Sequence, residues 1–166
     1  TWILHAHNNQ HLYKPRIDVL PDVHKPWYVD LRVAMTSYVL AMCLYFLGDR
    51  LDEVSPLIGE RIRACIKERF ILPFLQNDSF KWMGFYDKEH VNNWNTYIVM
   101  NVLVVAGLLE EDDRIRFEAI EKCVYCLDTY VANLPADGGC DEGPGYWLGA
   151  AGSLYAAMKM LHRLTG

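Results

Sequence analysis

No run of Lys or Arg occurs anywhere in this sequence. The 16 basic residues are outnumbered by 21 acidic ones, giving a formal charge of −5. Arg32, Arg61, Arg63, Arg69, Arg114 and Arg116 are spread along segments with helical periodicity. That distribution argues against a general nucleic-acid binder, which needs clustered cations on one face, and it builds no anion-attracting groove. A disulfide framework is lacking too, because Cys43, Cys65, Cys123, Cys126 and Cys140 are odd in number and scattered. Cys123 and Cys126 form a CxxC, but it stands inside a helical pattern with no second CxxC and no nearby His pair. They read as small buried thiols rather than a zinc site, and neither a metal nor a cofactor is expected. The longest apolar run without a charge, Val91 to Leu109, contains Asn92, Asn93, Asn95 and Asn101, so no membrane span is expected. The chain starts at Thr1 without a leader pattern and stops while a helical pattern is still running. It is expected to be a fragment of a longer protein.

What is present is helix. Apolar residues are 52% of the chain and charged residues 22%, which suits one globular unit. From about Val29 to Leu47 they recur at helical spacing through Leu31, Ala34, Met35, Tyr38, Val39 and Met42, and Gly48 stands where a C′ residue would end the helix. Ser55-Pro56 has the form of an N-cap followed by N1 and opens a second helix reaching towards Gln76. A third runs from about Val91 to Leu109. The acidic cluster Glu110 to Asp113 suits the positive end of a fourth, and a fifth covers Leu148 to Leu164. No segment reads as a strand. Paired antiparallel helices of this kind predict an all-α fold, part of an incomplete α/α toroid.

Two segments exceed what this scaffold needs. The loop Asp137-Gly138-Gly139-Cys140-Asp141-Glu142-Gly143-Pro144-Gly145-Tyr146-Trp147 spends four glycines and a proline on one helix-to-helix connection, although ordinary residues make such turns. It delivers a tyrosine and a tryptophan to the mouth of the next helix. It follows a helix and lacks GxGxxG spacing, which rejects a phosphate-binding loop. The second segment is His90-Val91-Asn92-Asn93-Trp94-Asn95. One Asn suffices to cap a helix, and Asn is otherwise a poor helix residue. Asn92 and Asn95 are three apart and are expected to share a face. Amides beside an aromatic platform suit a sugar, since Asn both donates and accepts and Trp stacks on the apolar face of a pyranose.

Together these motifs resemble the helical domain of the heparinase II/III-like polysaccharide lyases, as do Leu44-Tyr45-Phe46-Leu47-Gly48-Asp49-Arg50 and the segment Trp2 to Asn8. The resemblance spans essentially the whole chain. It implies a toroid that in the parent protein is followed by a β-sandwich domain, a periplasmic or secreted location, and cleavage of uronic-acid polysaccharides by β-elimination. It further implies that Asn92 neutralises the uronate carboxylate and that Tyr146 acts as acid, base or both. Asn95, Trp94, Trp147 and His7 (with His5 as the alternative) are expected to contact substrate, and Glu142 to hold the loop from behind. A second catalytic histidine is expected in the missing domain. The sequence leaves two other functions open, a uronyl C5-epimerase of the same fold and a non-catalytic carbohydrate-binding domain. Alone, the fragment is expected to be inactive and to self-associate through exposed apolar faces.

Overall fold

Asp30 fixes where the first helix begins. In the computed structural model, which describes residues 28–86, 91–140 and 142–166, its Oδ1 accepts the backbone N–H groups of Arg32 and Val33, both at 2.9 Å. These are donors that a helix start otherwise leaves orphaned. Helix α1 (Leu31–Val54) buries Val33, Ala34, Ser37, Ala41 and Leu44, a stripe at three- and four-residue spacing. Gly48 does not end it. A glycine stops a helix by turning left-handed, and positive φ among the described glycines occurs only at Gly84, Gly138, Gly143 and Gly166. The helix therefore runs on to Val54. Among the described residues α1 alone has the length and apolarity to cross a membrane, although charges interrupt its apolar run.

Asp30 is itself fully buried, and its Oδ2 has no hydrogen-bond partner among the described residues. Burial pushes its carboxyl above the ordinary range, against the opposing N–H bonds from Val33 and Arg32 and the nearby Arg32 charge. The folded state thus prefers the protonated acid, so stability is fullest below the unfolded pKa and declines as pH rises through the folded one. Asp30→Asn keeps the capping acceptor and removes the buried charge. It is expected to raise the melting temperature at pH 7 and to change it little near pH 3, which thermal unfolding at the two pH values checks.

Helix α2 (Pro56–Ile66) follows after Ser55 alone, so the chain reverses directly. Ser55 occupies the N-cap position without a side-chain cap bond, and its N–H returns to Leu51 O at 2.9 Å. The expected single helix to Gln76 is interrupted by a π turn, Lys67–Ile71, before α3 (Leu72–Gln76). Pro73 accounts for the break: it lacks an N–H, and its ring crowds the carbonyl four residues back, at Arg69. A widened turn makes that room. A short 3₁₀ turn, Lys81–Met83, ends at Gly84 with φ 75°.

Helix α4 (Asn93–Leu109) is the centre of the molecule and packs on α1, on α5 (Asp113–Ala132) and on α6 (Pro144–Thr165). With neighbours on several sides it is buried around most of its circumference. Ile98, Val99, Val102, Leu103, Val105 and Ala106 are each at most 1% exposed. Three residues join α4 to α5. There Glu110, nearly buried, accepts from Lys67 Nζ at 2.9 Å and from the Asp112 N–H at 3.0 Å. Asp112 in turn caps α5 through the N–H groups of Arg114 and Ile115, and the Ile115 bond leads the effects that hold its carboxyl below the usual range. The fold is all-α, with no strand among the described residues. α6 begins at Pro144, four residues earlier than the periodicity suggests, because proline is well suited to N1.

Candidate functional site

The glycine loop is a chain of small turns with two positions that require glycine. Gly138 N–H reaches Pro135 O at 2.8 Å, Gly139 N–H reaches the Asp137 carboxylate at 2.9 Å, and Gly143 N–H reaches Cys140 O at 2.9 Å. Gly143 has φ 89° and ψ 176°, a region essentially closed to residues with a Cβ. The chain then turns sharply into Pro144 and the first turn of α6. That turn presents Tyr146 and Trp147, 56% and 57% exposed, beside Leu148.

The start of α4 is tied to this loop. Asn92 is the N-cap, its Oδ1 accepting the Trp94 N–H at 3.0 Å. That bond orients the amide, with oxygen towards the helix and Nδ2 as its donor end. Asn93, nearly buried, donates both its backbone N–H (3.2 Å) and its Nδ2 (2.7 Å) to Glu142 Oε2. A loop carboxylate therefore sits on the positive end of α4. A cleft of about 80 Å³ opens beside this contact, lined by Asn92, Asn93, Tyr130, Asn133, Gly139 and Cys140 among others. Thr96 completes the attachment, its Oγ1 lying 3.0 Å from the carbonyl of Ala150 on α6 and 3.3 Å from that of Asn93.

Asn95 has a different role from the one its sequence position suggests. It does not face solvent. It is wholly buried, and its Nδ2 lies against the carbonyls of Trp82 (3.2 Å), Met83 (3.5 Å) and Cys126 (3.0 Å). It joins the 3₁₀ turn to α4 and α5, while its Oδ1 has no partner. The physical reason is phase: Asn92 stands outside the helix as its cap, whereas Asn95 falls in line with Ile98, Val99 and Val102 on the core side. That alignment was the available signal. Trp94 is partly buried and packs against the core. Asn93, not its neighbours Asn92 and Asn95, makes the contact with the loop, and its residue type alone gives no sign of this. His7, His5, Trp2, Asn8 and His90 lie outside the described residues.

The CxxC thiols lie in the core. Cys123 and Cys126 are fully buried; burial pushes both thiols up, Cys126 to about 12, so they stay protonated at neutral pH. Among the described residues no three His, Cys, Asp or Glu side chains converge as metal ligands.

Removing the carboxylate that holds the loop, by Glu142→Ala, is expected to cost roughly 1–2 kcal/mol, because it leaves two donors of Asn93 without their charged acceptor. Thermal unfolding should show the loss. Hydrogen exchange should localise it to the first turn of α4, and unchanged protection there would dissociate the loop from the helix. No protein-family model matches the chain, and no curated protein shows significant similarity to it.

Proposed function

We propose that this chain is part of the helical toroid domain of a polysaccharide lyase that cleaves uronic-acid polymers by β-elimination. The observation that carries the reading is the bond pair from Asn93 to Glu142. Through it the two motifs that share the family resemblance, separate in sequence, meet at one end of α4. Asn92 caps α4 at this end, Tyr146 stands on the first turn of α6 just after the loop, and Trp147 offers an exposed ring for stacking on a sugar.

Elimination removes the proton at C5 of the uronate, forms the C4–C5 double bond and expels the C4 oxygen, which takes a proton as it leaves. The difficulty is charge, since the adjacent carboxylate resists the build-up of more. A donor fixed by the capping bond at the positive end of a helix offsets that charge as it develops. Asn92 Nδ2 is such a donor. Tyr146, on the first turn of α6, exchanges the proton with C5, with the leaving oxygen, or with both. Fixed partners of this kind are more effective than mobile ones because reorganisation is avoided. The toroid, the β-sandwich partner domain and the periplasmic or secreted location belong to the same proposal, as does an acidic polysaccharide as substrate. The small number of cations on this chain favours a uronate polymer of modest charge over a highly sulfated one.

The test is ultraviolet absorbance of the unsaturated uronate product when the full-length protein carrying this chain meets a panel of uronate polysaccharides. A rising signal supports the lyase. Solvent deuterium entering C5 without absorbance would replace it with the epimerase, and silence in both assays would overturn catalysis in favour of a binding domain.

A further inference from the structure

Another cleft shares no lining residue with the one beside Asn92. It lies along α5, encloses about 580 Å³, and has Leu75, Phe85 and Tyr125 as its apolar and aromatic surfaces. Asp78, Glu118, Glu121 and Asp128 supply four carboxylates around them. Among the described residues Lys122 is the one cation in its lining, and its three donor positions are already committed. They go to Leu75 O (3.2 Å), Asn77 O (3.1 Å) and the Asp78 carboxylate, and the same ammonium lies 5.3 Å from the Phe74 ring centre. Glu118 faces Arg114 in an exposed pair at 3.6 Å, which is weak in water. Glu121 and Asp128 form no ion pair with another described residue. Among the described residues the groove therefore keeps an uncompensated negative charge around an aromatic ring that is 58% exposed.

The spacing selects the kind of ligand. Glu118, Glu121, Tyr125 and Asp128 repeat at three- and four-residue intervals, so they share one face of α5. From first to last they span about 15 Å at the helical rise. A metal ion does not fit, because no three of these groups converge, and one small organic cation cannot reach both ends. Nucleic acid and acidic polysaccharide are repelled by the sign of the charge. We infer that this face of α5 is a docking groove for a basic peptide segment of a partner protein. The segment's Lys or Arg heads meet the carboxylates of Glu118, Glu121 and Asp128, and a guanidinium or aliphatic stem lies on Tyr125. The inference does not depend on the lyase reading.

The experiment is fluorescence anisotropy with a labelled heptapeptide, Arg-Leu-Arg-Leu-Lys-Leu-Arg, titrated with the 166-residue chain. Saturable binding that weakens with added salt is expected. Glu121→Lys combined with Asp128→Lys should weaken it by at least about tenfold, and Tyr125→Ala by about threefold. A control pair on other exposed positions, Glu60→Lys with Glu68→Lys, should leave it nearly unchanged. The neutral pair Glu121→Gln with Asp128→Asn should give an intermediate loss, and circular dichroism melts verify that each variant is folded. Equal losses in the control pair would reduce the effect to overall charge and overturn the groove, as would no saturation. A second copy of the chain in the groove would also overturn it, seen in sedimentation as a dimer that the reversal pair dissociates.

Discussion

Tyr146→Phe is expected to lower the rate of uronate elimination by about 10²–10⁴-fold in the full-length protein, the usual contribution of a positioned acid–base group. KM should move much less, because the ring and its contacts with the sugar survive the loss of one hydroxyl. The fold should not respond, since Tyr146 is more than half exposed. A companion variant separates structure from chemistry at the other residue. Asn92→Asp keeps an oxygen to accept the Trp94 N–H, and aspartate is a good N-cap at the positive end of a helix. It removes the amide donor and sets a negative charge against the substrate carboxylate. Stability is thus expected to hold while kcat falls by a factor comparable to that for Tyr146→Phe. Initial rates from product absorbance, with melting curves alongside, test both. A Tyr146→Phe protein within about threefold of the natural rate would remove the tyrosine from the mechanism.

Gly84→Ala is expected to be the most destabilising of the small substitutions. Its φ of +75° is one that side chains resist, and a Cβ there would stand 2.1 Å from Val91 Cγ2 and 2.7 Å from Thr129 Cγ2. Neither neighbour is the far end of a flexible chain. Val91 leads into the cap of α4, and Thr129 is on α5, its hydroxyl bonded to Tyr125 O at 2.9 Å. Overpacking costs about 1–3 kcal/mol and left-handed backbone about 1 kcal/mol more. A loss of about 2–4 kcal/mol corresponds to a melting point lower by roughly 5–15 °C for a chain of this size. Gly48→Ala is the contrasting case. It is helical, with open space at its Cβ position, and should gain about 0.5–1 kcal/mol. Equal melting points for the two variants would refute this account of the turn at Gly84.

The helices were legible in the sequence because their signals are local. Pro56 stands at a helix start, the acidic cluster Glu110 to Asp113 precedes α5, and the apolar stripes repeat at helical spacing. What was not legible depended on partners distant in sequence. Gly48 carries the composition of a stop, but only the backbone angle decides whether a glycine ends a helix or continues it. The π turn at Lys67–Ile71 answers to Pro73, which lies within a run that periodicity treats as uninterrupted. Asn95 was read from its type, whereas its three carbonyl partners come from residues 12 to 31 positions away. The attachment of Glu142 to Asn93 spans 49 positions, a separation at which spacing carries no information. The groove on α5 went unnoticed for a related reason. Its carboxylates look like an ordinary solvated face until Lys122 is seen to be turned inwards.

Two of the contacts that tie α4 to the elements around it share a property with an evolutionary consequence. Asn95 holds the carbonyls of Trp82, Met83 and Cys126, and Thr96 reaches the carbonyl of Ala150. Both grip main chain rather than side chain. Substitutions at the presented positions, Tyr146, Trp147 and Leu148, therefore leave these anchorages intact. The scaffold and the residues it displays can drift independently, so a lineage can change what this end of the molecule recognises without first rebuilding what supports it.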